Sequence, residues 1–215
     1  DGLLDDDQTS VIAGYIEGLS HSQAFRRIAV KALERECPLV LWKVGNSRVG
    51  MAAAASHTAK LAGNPACYHA VFDQFGIIRA NDVGDMADLS HGLRSKRWGY
   101  GSRVGVVTIS GGAGIVMADR AEELGLSIEA FEESTIAELR NTLPVFASFA
   151  NPLDVTAGAL SSPEVIEVAI KAVVADANVD MLAVGLAAAS GTAALLAARV
   201  LAKIANEYAL PIAIA

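Results

Sequence analysis

Cysteine, aromatic residues and runs of positive charge are all scarce in this 215-residue chain, and each shortage excludes a class of protein. The two cysteines, Cys37 and Cys67, stand in no metal-ligand spacing, so a cysteine-built zinc site is excluded and a reducing, cytoplasmic setting is expected. Aromatics make up 6% of residues while hydrophobics reach 53%, so the apolar mass is Ala, Val, Leu and Ile. That balance suits helices packed on a buried parallel sheet and argues against an aromatic-lined sandwich. No Lys/Arg-rich run exists and the formal net charge is −7, which excludes a general nucleic-acid or acidic-membrane surface. The alanine-rich segment 181–205 is broken by Ser190, Gly191, Thr192, Arg199 and Lys203 and reads as a buried strand followed by a helix, not a membrane span. No signal peptide is visible, and the chain opens on Asp1 with Asp5, Asp6 and Asp7 close behind and no initiating methionine, so it reads as a fragment of a longer protein.

What the chain does contain is a repeated alternation of short apolar runs and helical patterns. Residues 10–17 predict a buried strand that delivers Glu17 at its C-terminal edge. Over 21–36, Phe25, Ile28, Ala29, Ala32 and Leu33 recur at helical spacing and predict the inward face, with Arg26, Arg27, Lys31, Glu34 and Arg35 on the other. A strand at 39–44 leads into a glycine turn at 45–50. The stretch from Lys43 to Gly63, which includes this turn, is read as a mobile or exposed loop after the strand, carrying His57. A helix at 65–75, a short strand at 76–80 and a helix capped by Asp82 complete the first half. The polar, glycine-containing stretch 94–102 marks a domain boundary, giving domains at 1–97 and 98–215.

The second half repeats the grammar. A strand at 103–109 runs into Ser110-Gly111-Gly112-Ala113-Gly114, which opens a helix with Met117, Ala118, Ala121 and Leu124 expected inside. A strand at 126–130, a helix at 135–143 and a polar loop at 151–156 are expected next. Ser162-Pro163-Glu164 starts a helix with Ile166, Ala169, Ile170 and Val173 inward, followed by a strand at 181–186, a helix at 192–208 and a strand at 211–214. The fold class is therefore α/β, with two open, mostly parallel sheets and flanking helices. The first half supplies only three strands, thin for a doubly wound domain, so strands are expected to be missing on its N-terminal side.

Two stretches have residue types suited to phosphoryl chemistry. Glycines between a strand and a helix, as at Ser110–Gly114, let backbone N–H groups converge on phosphate oxygens; the same sequence also serves as a plain tight turn. It is neither a P-loop nor a Rossmann fingerprint, and Ile109 occupies the place where a serine-hydrolase elbow needs glycine. His57, between Ser56 and Thr58, is either a nucleophile and phosphoryl carrier or an ordinary surface residue. As a carrier it needs one ring nitrogen held by an acceptor, and Glu17 is the candidate carboxylate. Lys43 and Arg48 flank the glycine turn as anion contacts or as solvated charges. His21, His69 and His91 form no metal-binding pair, and no metal site is expected.

Five motifs then occur in order: Tyr15-Ile16-Glu17-Gly18; Lys43-Val44-Gly45-Asn46-Ser47 with Gly50; Ala54-Ala55-Ser56-His57-Thr58 with Leu61-Ala62-Gly63; Thr108-Ile109-Ser110-Gly111-Gly112-Ala113-Gly114; and Asn151-Pro152-Leu153-Asp154-Val155-Thr156. Together they resemble the nucleoside-diphosphate-forming acyl-CoA synthetases, relatives of succinyl-CoA synthetase, over nearly the whole chain. The resemblance implies two flavodoxin-like ligase domains, the first truncated at its N-terminus. It further implies His57 as the phosphorylated histidine, Glu17 as its orienting carboxylate, and Ser110, Gly111, Gly112, Ala113 and Gly114 as phosphate-binding helix start. Ser56, Thr58, Arg48, Asn151 and Asp154 fall within the same motifs. Asn46 and Ala59 depart from the arginine and glycine usual in the family.

The activity the resemblance implies interconverts acyl-CoA, ADP and phosphate with acid, CoA and ATP. CoA, ATP/ADP, phosphate and Mg2+ would be used by the full-length enzyme, none of them tightly bound by this fragment, which alone is expected to be inactive. The implied partners are acyl-CoA or acyl phosphate and the CoA-binding and ATP-grasp domains of the same or a partner chain, with a homo-oligomer allowed and no nucleic acid or membrane. The alternative is a catalytically silent regulatory or binding module of a ligase-like fusion protein.

Overall fold

A computed structural model describes residues 1–58, 63–95, 97, 99, 101–145, 147–187 and 189–215, without the side chains of His57 and Thr58. The chain divides into two compact units, Asp1–Lys96 and Arg97–Ala215.

The first unit carries strands β1 (Ile12–Ile16), β2 (Leu39–Lys43) and β3 (Ile78–Arg79), with helices α1 (Ser22–Glu34), α2 (Arg48–Thr58), α3 (Pro65–Gln74) and α4 (Val83–Arg94). The strands form one parallel sheet in the order β1-β2-β3, with Ile16 opposite Lys43 and Leu41 opposite Arg79. One face packs on α1 and α3 through Ala29, Ala32, Leu39, Leu41 and Phe72. A short 3-10 helix at Gly2–Asp5 adds Leu4, 2% exposed, to this core. The acids that open the chain meet α1 from outside, Asp5 pairing with Lys31 at 2.5 Å and Asp7 with Arg35 at 2.6 Å, surface pairs that contribute little stability. Leu33, expected inside, is exposed, because it lies about 100° around the helix from Ala32.

Helix α2 is the main departure from expectation. The stretch read as a loop is helical from Arg48 to Thr58. Four consecutive alanines, Ala52–Ala55, have the highest helix propensity of any residue, and the Ser47 hydroxyl accepts the Gly50 N–H at 3.0 Å to cap the first turn. Residues 59–62, from Ala59 through Leu61 and Ala62, lie outside the described residues.

The second unit holds strands β4 (Val104–Thr108), β5 (Leu153–Asp154), β6 (Met181–Gly185) and β7 (Ile212–Ile214), all parallel in the order β5-β4-β6-β7. Helices α5 (Gly111–Glu123), α6 (Glu133–Thr142), α7 (Pro163–Val174) and α8 (Gly191–Glu207) flank them. Every residue of β4 is buried, as a central parallel strand requires. Its core includes Leu139, Leu153, Ile170, Val173 and Ile204, each fully buried, and the predicted inward face of α7 is inside at all four positions. The strand expected at 126–130 is instead a single bridge between Arg103 and Ser127. The expected loop at 151–156 contains β5, two residues paired to Val107 and Thr108. Leu124 is exposed because α5 ends at Glu123 and the chain turns away there. No described helix is long and apolar enough to cross a membrane.

Candidate functional site

In the first unit the site is built at the C-terminal ends of the strands, where parallel sheets leave a crevice for ligands. Glu17 follows β1 directly, and the Val44 N–H donates to the Ile16 carbonyl at 3.0 Å, holding the exits of β1 and β2 together. Gly45, at φ 71°, then turns the chain into α2, a conformation that favours glycine. Between these parts lies a cleft of about 570 Å³ lined by Tyr15, Glu17, Val44, Gly45, Gly50, Ala53, Ala54 and Ser56. Small residues at 50, 53 and 54 recur at helical spacing, so α2 presents a wall without bulk to the cleft. Oε2 of Glu17 is shielded from solvent.

Ser56 lines this cleft and donates its hydroxyl to the Ala53 carbonyl at 2.8 Å. His57 and Thr58 are the last two residues of α2, and their side chains lie outside the described residues. Arg48 opens α2 at an exposed position and does not line the cleft. The structure thus brings Glu17 and Ser56 to one cleft at the helix that carries His57, and leaves Arg48 apart from them.

Lys43 is not a solvated charge. It is 4% exposed, because it continues the inward alternation of Leu39 and Leu41 on β2. Its ammonium donates to the Val44 carbonyl and lies 4.8 Å from the centre of the Tyr68 ring. Burial lowers its pKa from the ordinary lysine value. The Tyr68 hydroxyl accepts the Leu19 N–H at 2.9 Å, two residues beyond Glu17. Neither Tyr68 nor the burial of Lys43 was expected from the sequence: a lone tyrosine in a helix carries no signal, whereas the alternation 39-41-43 is a signal that could have found Lys43 inside.

In the second unit, Ser110 is the N-cap of α5 but makes no capping bond with its own hydroxyl. The first N–H groups of α5 have no acceptor within the helix, and the helix dipole favours an anion there. Thr108 fixes the turn, its Oγ1 accepting the Ser110 N–H at 3.1 Å. A Cβ on Gly111 would stand 3.2 Å from Oδ2 of Asp154, so Asp154 does adjoin the glycine turn. Asn151 is otherwise engaged. Its amide donates to the carbonyls of Val104 and Glu129 at 2.8 and 2.9 Å and its oxygen accepts the Val106 N–H at 2.9 Å, fastening the loop to β4. Among the described residues no group of His, Cys, Asp and Glu could hold a metal ion.

Residues 1–93 match the family model of a succinyl-CoA ligase like flavodoxin domain, and residues 104–211 match the ligase-CoA domain. The chain belongs to the ligase-CoA family. It is 38% identical to an ADP-forming acetate–CoA ligase of Methanocaldococcus jannaschii over 71% of this chain and 21% of that protein. It is 37% identical to the alpha subunit of ADP-forming acetate–CoA ligase II of Pyrococcus furiosus, over 84% of this chain and 38% of the relative. Among solved structures, a dinucleotide-forming acetyl-coenzyme A synthetase 1 of Ca. Korarchaeum cryptofilum in complex with phosphate and ADP superposes with a TM-score of 0.83 at 31% identity, covering 99% of this chain and 47% of that one. This ligase-CoA chain therefore spans between about a fifth and two fifths of the length of these curated relatives.

Proposed function

We propose that this chain supplies two ligase domains, 1–97 and 98–215, of an ADP-forming acid–CoA ligase that works through a phosphohistidine at His57. The observation that carries the reading is Glu17: a carboxylate with a shielded oxygen, at a strand end, facing a cleft walled by the helix on which His57 sits. A carboxylate so placed holds an imidazole in one tautomer and stabilises the cation that forms when the ring is phosphorylated.

In the direction of ATP synthesis, phosphate attacks the acyl carbon of acyl-CoA; the C–S bond breaks, CoA leaves as the thiol and acyl phosphate forms. A neutral ring nitrogen of His57 then attacks phosphorus, the P–O bond to the acyl group breaks, and the acid leaves as carboxylate. The phosphoryl group passes finally from the ring to ADP. The N–H groups of Gly111, Gly112 and Ala113, which precede the first intrahelical bond from the Gly114 N–H to the Ser110 carbonyl, are donors suited to the charge of a phosphoryl group, being fixed in place beforehand. CoA, ADP and phosphate are the substrates of this reading. Mg2+ accompanies the nucleotide at an ATP-grasp domain, and CoA is held by a CoA-binding domain, each in the same or a partner chain.

The test uses the full-length protein with labelled ATP and Mg2+. An acid-labile, base-stable phosphoryl group is expected, absent in His57→Ala. Label that persists in that variant overturns the assignment.

A further inference from the structure

We propose a second anion site, for a phosphate or the head of a phosphate monoester, in the cleft between α3 and the C-terminal ends of β2 and β3, held by Lys43, Arg79 and the amides of Asn46 and Asn81. This cleft shares no lining residue with the Glu17 cleft. Its position follows the sheet. Lys43 closes β2, while Ala80 and Asn81 leave β3, with the Ala80 N–H donating to the Leu41 carbonyl at 3.1 Å. Strand ends of this kind are where open α/β sheets receive ligands.

The lining has the chemistry of an anion receptor. It gathers two cations, the imidazole of His69 and two side-chain amides, and no acidic residue. The nearby acids act on it from outside the lining: Asp73 pairs with Arg79 at 3.3 Å, and Asp85 accepts the Asn81 amide at 2.9 Å. Both bonds orient donors while leaving others open, since a guanidinium has five N–H donors and an amide two. The Asn46 amide donates to the Lys43 carbonyl at 2.8 Å, which places that side chain at the mouth of the cleft.

Lys43 supplies the independent observation. A buried ammonium is costly unless a counter-charge meets it. Lys43 is 4% exposed, the contacts of its ammonium among the described residues are the Val44 carbonyl and the Tyr68 face, both outside the lining of this cleft, and none of the ion pairs among those residues includes it. Desolvation by burial lowers its pKa from the ordinary lysine value. An incoming phosphate group would provide the missing negative charge. The volume, about 220 Å³, admits such a group but is below the roughly 300–1,000 Å³ of pockets that enclose whole drug-sized ligands. The ligand is thus inorganic phosphate, or a larger molecule that inserts only its phosphate.

The test is titration of the 215-residue chain with inorganic phosphate and, separately, with methyl phosphate, followed by amide NMR shifts. Saturable shifts are expected at Asn46, His69, Ala80 and Asn81, with affinity lowered about tenfold or more in Lys43→Met and in Arg79→Gln, as loss of a charged hydrogen bond implies. Arg79 is exposed, so its variant decides the matter should Lys43→Met fail to fold. Tighter binding of methyl phosphate identifies a monoester ligand, and binding of inorganic phosphate alone identifies the free ion. Absence of saturable shifts at these four residues, or equal affinity in wild type and Arg79→Gln, overturns the site. His57→Ala is expected to keep these shifts, so this result is independent of the phosphohistidine. Phosphate that shifts only Gly111–Gly114 overturns the second site while leaving the proposed function standing.

Discussion

The Tyr68 hydroxyl accepts the Leu19 backbone N–H at 2.9 Å, so a side chain of α3 holds the segment that leaves Glu17. The same ring lies 4.8 Å from the Lys43 ammonium, which in turn donates to the Val44 carbonyl at the entrance to the α2 turn. Tyr68 therefore touches both chain segments that frame the Glu17 cleft. Tyr68→Phe keeps the ring and removes the acceptor. It is expected to cost about 1 kcal/mol in urea unfolding, the net worth of one hydrogen bond, and to slow phosphohistidine formation in the full-length protein. Labelling at the wild-type rate would show that this tether does not position Glu17.

Glu17→Gln preserves size and removes the charge. The circular dichroism spectrum and unfolding midpoint should stay near wild type, since Glu17 lines a cleft and belongs to neither buried core. The labelling rate should fall by about a hundredfold, the lower range of what one positioned catalytic group contributes. An unaltered rate refutes the orienting role.

At the start of α5, space differs sharply between neighbouring glycines. A Cβ on Gly114 would stand 3.2 Å from Cβ of Pro152 and from Cγ2 of Thr108, whereas one on Gly112 would meet only Ser110 Oγ at 3.9 Å. Gly114→Val is expected to destabilise the second unit by about 1–3 kcal/mol through overpacking, and Gly112→Ala to leave it unchanged. Denaturant midpoints measured side by side check both, and equal midpoints would contradict the packing described here.

Acid sensitivity should arise at Arg103–Asp180. Asp180 accepts from the Arg103 backbone N–H at 3.0 Å and from its guanidinium at 2.9 and 2.6 Å. These bonds hold its pKa at about 2, down from 3.8. A depressed carboxyl pKa contributes stability that is complete above the unfolded value and lost as pH falls through the folded one. The stability gap between wild type and Asp180→Asn should therefore be full at neutral pH, narrow below pH 3.8 and close near pH 2. A gap independent of pH over that window would exclude this pair as its source.

Most strands were legible because buried parallel strands are short apolar runs, and β1, β2, β4, β6 and β7 each read that way, whereas their order in the sheets was not. Helices with strong stop and start signals were legible too, α4 behind Asp82 and α7 at Pro163. The two-residue strand β5 was not, since Leu153 and Asp154 are a strand only through pairing with Val107 and Thr108. Helix α2 was obscured by the glycines ahead of it, although the alanine run carried the propensity.

The sequence by itself determined the alternation of strand and helix, the placing of Glu17 at a strand end and the glycine turn at a helix start, because each depends on local residue type and spacing. The seating of the Lys43 ammonium against the Tyr68 ring, the hold of Tyr68 on Leu19 and the approach of Asp154 to Gly111 were decided by tertiary structure alone. Each joins residues from separate elements, and local propensity contains no term for which element arrives beside another.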